Sequence, residues 1–279
     1  MMGSSIGIQL RAGGRKALPE EVTVAGGHYR CNKVLKHDFF AATALYQLRK
    51  TEQTPEKGLP RRIILKMARR GDFLGIPLRW LGRAICRHEI GNLRHLQSLD
   101  QVPRYLGRYE DTGFFYEYIE GCSLDERPVL PGDFFERLEE LIRSIHSRRV
   151  AYIDMNKRGN ILLGEDNLPY MIDFQIACHI PRGEGLGGRI MDGLFSLLTK
   201  EDIYHLRKHQ RRLAGEQLEP EQLEAFQRKS PWIKTHRRLS RPLTRHRRRI
   251  LGFLLRRGHL RVDEAERTNP ESDPGRWDK

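Results

Sequence analysis

Apolar residues in the first part of the chain fall in the short runs that are typical of β-strands. Three such runs lie between Val22 and Ala68, separated by turn-forming residues: VTVAGGHYR, ATALYQL and RRIILKMA. The connection KTEQTPEKGLP contains Pro and Gly without periodicity, so we expect a loop there. A later aromatic run, FFYEYI, follows a turn signal and predicts one more buried strand. The pattern predicts a small N-terminal sheet.

Helical spacing of apolar residues begins after this sheet. Residues 78–99 place leucines and isoleucines three and four positions apart, which predicts one helix. Asp133 is the expected N-cap of a second helix, whose apolar stripe runs to about Arg148. Beyond Gly188 the sequence has helical character to about residue 261, with Thr199 as the expected cap of one stretch.

Composition and charge limit the class of protein. The 279 residues are 38% hydrophobic, which is enough for an ordinary core. No stretch approaches the roughly 20 apolar residues that span a bilayer, so we expect a cytoplasmic protein, peripheral at most to the inner face of the membrane. Four widely spaced cysteines suggest neither a zinc site nor a disulfide framework. We expect residues 1–20 and the polar tail 263–279 to be flexible or disordered.

One segment carries most of the chemical information, IHSRRVAYIDMNKRGNILLGEDNLPYMIDFQ. It predicts a helix end, a loop that presents Asp154 and Asn160, a hairpin of the strands NILLG and PYMIDF, and Asp173 at the end of the second strand. Phosphoryl transfer needs a carboxylate to orient the attacking hydroxyl and oxygen ligands for magnesium. The segment therefore favours a phosphotransferase.

The same segment resembles the catalytic loop and the metal-binding strand of the protein-kinase-like superfamily. The resemblance implies that Asp154 is the catalytic aspartate, that Asn160 and Asp173 hold Mg2+, and that ATP is the cofactor. Its closest pattern is that of bacterial lipopolysaccharide-core sugar kinases of the Kdo-kinase type. The implied fold is α+β and two-lobed, with an N-lobe at about 21–117 and a mainly helical C-lobe at about 118–262.

Earlier residues extend the resemblance, which covers roughly residues 28–196. Lys66 in IILKMA resembles the strand lysine that grips the α and β phosphates, and Glu89 resembles the helix glutamate that positions that lysine. The stretch YEYIEGCSL is similar to the hinge between the lobes, which implies that backbone groups of Glu117 and Tyr118 contact adenine.

Three departures from the family pattern leave alternatives open. The glycine-rich loop is replaced by LKHDFFAATA, where Lys36 or His37 could contact phosphate instead. One extra residue separates Asp154 from Asn160, so Asn156 competes for a polar role in the loop. Tyr152-Ile153 replace His-Arg, and an Ala-Pro-Glu segment is lacking, which disfavours control by a phosphorylated activation loop.

The acceptor and the basic C-terminal region allow several interpretations. The net charge of +14 favours an anionic sugar or a lipid-linked saccharide as acceptor, with a Ser/Thr protein kinase or an inactive pseudokinase scaffold as alternatives. Region 225–262 contains no acidic residue and either docks on an anionic membrane or glycan or forms a solvated helix surface. Nucleic acid is disfavoured because no recognised binding motif accompanies the charge. His146 is expected to pack or cap, and the site polar residues could alternatively cap local structure.

Overall fold

The computed structural model describes residues 12–13, 18–37, 41–49, 58–72 and 76–215. This part of the chain mixes antiparallel β-sheet with three α-helices. Several predictions lie outside it: most of the N-terminal segment, most of the loop 50–60, the helical text after residue 215, the basic region 225–262 and the tail 263–279. The described residues group into two compact units. One holds residues up to Arg87 with Leu106–Tyr118, and the other holds His88–Tyr105 and residues from Ile119 onward.

The first unit is built on a six-stranded sheet in the order β1-β2-β3-β4-β6-β5. Its strands are β1 (Glu21–Val24), β2 (Gly27–His37), β3 (Ala41–Leu48), β4 (Arg62–Ala68), β5 (Tyr105–Tyr109) and β6 (Gly113–Glu117). A turn at Ala25-Gly26, where both residues have positive φ, divides the first predicted run into β1 and β2. Tyr29, Tyr46, Leu65 and Phe115 fill the core of this sheet. The structure confirms the predicted N-terminal sheet. This sheet could be predicted because its apolar runs are recognisable from neighbouring residues alone.

The remaining described elements are three α-helices, two short 3-10 helices and five short strands. The α-helices are α1 (Arg79–His95), α2 (Phe134–Ser147) and α3 (Gly185–Leu213). The strands are β7 (Gly121–Ser123), β8 (Val150–Ala151), β9 (Ile161–Gly164), β10 (Pro169–Met171) and β11 (Cys178–His179). They form a three-stranded sheet, β10-β9-β7, and a two-stranded one, β11-β8. Within the described ranges no helix is both long and apolar enough to cross a membrane.

One predicted helix cap, Thr199, is wrong, and the other, Asp133, is confirmed in position only. Asp133 precedes α2 as expected, but its carboxylate makes no capping hydrogen bond and instead accepts one from Arg137 Nε at 2.6 Å. Thr199 does not begin a helix, because α3 already starts at Gly185 and Thr199 Oγ1 donates to the carbonyl of Phe195 at 3.0 Å within it. In both cases a nearer partner competes for the short polar side chain.

Candidate active site

The loop that carries Asp154 is held at both ends by pairing within the second unit. Strand β8, immediately before the loop, pairs with β11 so that Ala151 lies opposite Cys178. Strand β9, immediately after it, pairs with β10. Ile172 N also donates to Asn160 O at 3.0 Å. The loop of Asp154 and the strand end of Asp173 are therefore fixed against each other.

The buried carboxylate of Asp154 is the centre of a small cluster of polar side chains. The residue is only 9% exposed. Its Oδ2 accepts hydrogen bonds from Asn160 Nδ2 at 3.0 Å and from Lys157 Nζ at 2.6 Å. Burial raises the pKa of Asp154, and the charge of Asp173 adds to this effect, while Lys157 and Asn160 oppose it. The loop thus holds a carboxylate with an increased proton affinity.

Asp173 lies close to the same cluster and in a strained backbone conformation. Its φ is 61°, in the left-handed region that Asp tolerates better than most residues. The pKa of the buried Tyr152 phenol is raised first by burial and then by the charges of Asp173 and Asp154. Phe174 packs edge-on against Tyr152, with 5.1 Å between the ring centroids. Asp173 and Asp154 therefore both act electrostatically on one buried phenol.

A helix side chain fixes the segment that follows Asp173. Asn92 on α1 donates from its amide nitrogen to the carbonyl of Phe174 at 3.1 Å and to that of Ala177 at 2.8 Å. His88 Nε2 donates to the Ala177 carbonyl as well, at 2.7 Å. These bonds satisfy carbonyls that no strand pairs, and they explain how an irregular segment stays buried.

The most important residue that the sequence did not reveal is Asp202 on α3. It is completely buried and accepts hydrogen bonds from the backbone N–H groups of Tyr152 and Ile153, each at 2.8 Å. Its Oδ2 also lies 2.9 Å from His146 Nε2. These contacts hold Ile153 at φ 68°, a conformation that is rare for a β-branched residue. Asp202 therefore orients the backbone immediately before Asp154.

The sequence contained one signal for Asp202. Phe195, Leu198 and Leu206 share a helix face with Asp202, which stands at a position where the spacing calls for an apolar side chain. A carboxylate at such a position is buried only when it is paired or hydrogen-bonded. His146 was expected to pack or cap, and its contact with Asp202 agrees with a structural role.

The two asparagines of the loop have different environments. Asn160 is buried and donates to Asp154, whereas Asn156 is exposed and accepts from Lys208 Nζ on α3 at 2.5 Å. A 3-10 turn over Arg158–Asn160 precedes β9. Of the two, only Asn160 lies in the Asp154 cluster.

The sequence-predicted residues of the first unit lie on the six-stranded sheet. Lys66 is in the middle of β4, opposite Thr43 and Phe114, and is only 8% exposed. Lysine side chains are seldom buried unless they are paired, so this position is a candidate for either a structural or a functional role. Lys36 is an exposed residue of β2, and the neighbouring His37 Nε2 accepts from the Gly13 amide at 3.3 Å.

Three further predicted positions complete the set. Glu117 ends β6 opposite Ile63. The Tyr118 amide donates to the Arg62 carbonyl at 3.2 Å, so the sheet uses that N–H, and an adenine contact would need another backbone group of the segment. Glu89 is on α1 and is 3% exposed.

The donor atoms of the second unit suit a hard cation. Among the described residues there is no group of three or more His, Cys, Asp or Glu side chains that could hold a metal ion. Magnesium needs fewer protein ligands when substrate phosphates and water complete its shell. Asn160 and Asp173 offer only oxygen for such binding, because the Asn160 amide nitrogen is turned to Asp154.

Comparison with known proteins assigns no family to the chain. No protein-family model matches the sequence, and no curated protein matches it significantly.

Proposed function

We propose that this chain is an ATP-dependent phosphotransferase with a two-lobed, protein-kinase-like fold. It moves the γ-phosphoryl group to a hydroxyl of an anionic sugar or a lipid-linked saccharide. The observation that carries the proposal is the Asp154 cluster, in which one buried carboxylate binds Asn160 and Lys157 and interacts with Asp173. This is the set of groups that phosphoryl transfer to an alcohol requires.

Asp154 is the group that orients the acceptor hydroxyl and accepts its proton. A carboxylate of ordinary pKa is a weak base at neutral pH, and a raised pKa brings it closer to the range in which general bases work best. Burial gives Asp154 this property. Lys157, on the same carboxylate oxygen, supplies positive charge next to the reacting groups.

Asn160 and Asp173 are the residues that would hold Mg2+. The ion would neutralise charge on the nucleotide phosphates, and its preference for oxygen ligands agrees with the amide oxygen of Asn160 and the carboxylate of Asp173. The oxygen-only donor set supports magnesium over zinc, which favours nitrogen and sulfur.

The nucleotide roles proposed for the other predicted residues follow from the resemblance in sequence. Lys66 contacts the α and β phosphates and Glu89 positions it, while backbone groups at Glu117 and Tyr118 face adenine. Lys36 is the proposed replacement for the missing glycine-rich loop. The burial of Lys66 and Glu89 supports these roles because buried charges are rare outside paired or functional positions.

The first test is whether the protein binds magnesium nucleotide through Asp173. Thermal unfolding is measured with ATP, with and without Mg2+, on the wild type and on Asp173→Asn, which suits the left-handed backbone at this position. A ligand at about 100 times its Kd stabilises by about 2.7 kcal/mol. We expect a magnesium-dependent rise in Tm that Asp173→Asn abolishes.

The matched control is Glu165→Ala, which removes an exposed carboxylate from the turn of the same hairpin. It should keep the full nucleotide response. If ATP has no effect on the wild type in any condition, the chain does not bind nucleotide and a scaffold function takes the place of this proposal.

A further inference from the structure

The first half of α1, residues 79–87, has one buried face and one exposed face. Gly82 and Cys86 lie on the buried face. Trp80 lies on the other face and is 64% exposed, and Ala84 and Arg87, which follow it at helical spacing, are exposed as well. The face that contains Trp80 is therefore open to solvent.

Two large apolar side chains are exposed at the start of this face. Trp80 is preceded by Ile76, which lies just before the helix and is 57% exposed. Isoleucine is among the residues that are most often buried, and tryptophan is highly buried on average. Covering the two side chains would remove apolar surface from water, which favours association. The pair therefore indicates a candidate interaction surface.

The charged side chains of the same half of the helix are all cations. They are Arg79, Arg83 and Arg87, and the first turn contains no acidic residue. A cation in the first turn opposes the helix dipole, so Arg79 does not stabilise the helix in this way. The arginines therefore suit an anionic partner better than they suit the helix itself.

The turn between β5 and β6 holds two of these arginines in place. Asp111 in that turn accepts hydrogen bonds from Arg79 Nε at 2.9 Å and from Arg83 Nε at 2.5 Å. The two arginine side chains are still 48% and 43% exposed. Because two guanidinium groups share one carboxylate, the group keeps a net positive charge in a fixed geometry. Cations that are oriented in advance lose less side-chain freedom when they bind an anion.

We propose that Ile76, Arg79, Trp80, Arg83 and Arg87 form a docking surface for a lipid bilayer that contains anionic lipids. We name these residues the tryptophan–arginine surface. Tryptophan side chains favour the level of the lipid headgroups, and helices that combine arginine with tryptophan and aliphatic residues bind in that plane. The inference goes beyond the proposed function and does not rest on it.

Charge and apolar surface together favour a bilayer over nucleic acid as the partner. Either partner supplies phosphates for the arginines, because the guanidinium group matches phosphate oxygens. Only the bilayer also offers an apolar layer for Ile76, directly below the headgroup level that suits the indole of Trp80. We therefore expect binding that requires both the anionic lipid and the apolar side chains.

The test is the binding of the full-length chain to vesicles of phosphatidylcholine, with and without phosphatidylglycerol, measured by co-sedimentation. We expect binding to the anionic vesicles only, and we expect it to weaken as salt screens the arginines. Ile76→Ser/Trp80→Ser should lower the partition coefficient by about tenfold or more, because it removes the apolar contribution. A wild type that does not bind the anionic vesicles would overturn the proposal.

Each variant has a matched control elsewhere in the chain. For the apolar pair it is Leu186→Ser/Ile190→Ser at the start of α3, where the two side chains are 76% and 60% exposed. Arg87→Gln should weaken vesicle binding by about fivefold, and it is compared with Lys200→Gln at another exposed position. The single-charge variants test the surface even if the apolar pair alters stability. Equal losses for a variant and its control would show that the surface has no special role.

The emission of Trp80 reports directly on its contact with lipid. The chain has three tryptophans, so Trp232→Phe/Trp277→Phe leaves Trp80 as the only one. When anionic vesicles are added, the emission should shift to shorter wavelength, and lipids with brominated acyl chains should quench it. Vesicle binding without any change in the emission of Trp80 would contradict the proposal.

Two further measurements separate this inference from its alternatives. If Ile76→Ser/Trp80→Ser and Arg87→Gln weaken binding to a short DNA duplex and leave vesicle binding unchanged, the surface serves nucleic acid and the proposal is wrong. Magnesium-ATP stabilisation separates the docking surface from the proposed function. Its absence in the wild type would remove the phosphotransfer proposal, whereas vesicle binding that still depends on the tryptophan–arginine surface would support this one.

Discussion

The six-stranded sheet and the loop of Asp154 satisfy their backbone groups in different ways. In β3 and β4 each residue pairs with one on the neighbouring strand, and no residue within these two strands has a positive φ. In the loop, Ile153 is left-handed, and its N–H goes to the side chain of Asp202 rather than to a strand. The backbone groups of the sheet are paired with backbone groups of adjacent strands. Those of the loop are held by individual side chains of α3, a helix that is distant in sequence.

This difference supports the loop of Asp154 as the candidate active site. Strained residues and buried charges persist only where the surrounding structure holds them, and they concentrate at functional sites. The sheet has one notable exception to its apolar core, the buried Lys66. The loop has several, including the buried carboxylates of Asp154 and Asp202. The comparison predicts that replacing buried polar residues near the loop changes the free energy of unfolding strongly and in a way that depends on pH.

Removal of Asp202 should have the largest effect on stability. Asp202→Ala leaves one buried and one part-buried backbone N–H group without an acceptor, each costing about 1–3 kcal/mol, so we expect a loss of about 3–5 kcal/mol in the free energy of unfolding. The measurement is denaturant unfolding, with Asp202→Asn as a milder variant that keeps one acceptor oxygen.

The matched control for Asp202 is Asp192→Asn on the same helix. Asp192 forms a salt bridge with Arg149, and its side chain is 49% exposed. Such a pair contributes about 1 kcal/mol or less. Similar losses for Asp192 and Asp202 would show that the loop does not depend on the buried carboxylate.

His209 should make the stability of the protein depend on pH in the mildly acidic range. Burial, followed by nearby cations, lowers its pKa from 6.5 to about 4. As pH decreases, His209 therefore takes up a proton in the unfolded chain before it does so in the folded chain. The free energy of unfolding falls as pH decreases from about 6.5 to 4. The expected change is on the order of 3 kcal/mol.

The variant His209→Gln tests this dependence and retains a donor for the Met155 carbonyl, to which His209 Nε2 donates at 2.8 Å. Its unfolding free energy should vary less over the same pH range, as measured by denaturant titrations at several pH values. An unchanged pH profile would mean that another group titrates, and that His209 is not the buried neutral imidazole described here.

Replacement of Asp154 should have the smallest effect on the free energy of unfolding, and it should increase that free energy rather than decrease it. Because the folded state raises its pKa, its contribution to stability is greatest below the unfolded pKa and is lost as pH rises through the folded value. Asp154→Asn should therefore increase the free energy of unfolding at neutral pH, by less than the effect of His209. Asp100→Asn, at an exposed position, should have no such effect. A loss of stability in Asp154→Asn would show that Lys157 and Asn160 outweigh burial.

The sequence predicted those parts of the fold whose signals are local. The apolar run of β4 and the stripe of α2 need only neighbouring residues to be recognised, and the structure confirms both. α3 begins at Gly185, three positions before the predicted helical stretch, because its first turn is rich in glycine and lacks apolar periodicity. Tertiary contacts override weak propensities of this kind.

The residues of the candidate site could be predicted from the sequence, but the residues that hold them in place could not. Asp154 and Asn160 could be chosen by resemblance, yet the extra residue of the loop left Asn156 as a competitor. The hydrogen bond between Asn160 and Asp154 distinguishes the two geometrically. Asp202 acts on Tyr152 from 50 positions away in sequence, a contact that periodicity alone could not predict.

The most direct test of the central claim is magnesium-dependent phosphate release from ATP by the purified wild type and by Asp154→Asn, with water as acceptor. The account predicts slow release by the wild type and a decrease of about 100-fold or more in the variant, the range expected for loss of a general base. Both proteins should give the same magnesium-ATP thermal shift. Equal rates in the two proteins, or a wild type that binds magnesium-ATP and releases no phosphate, would contradict the assignment of Asp154 as the catalytic carboxylate.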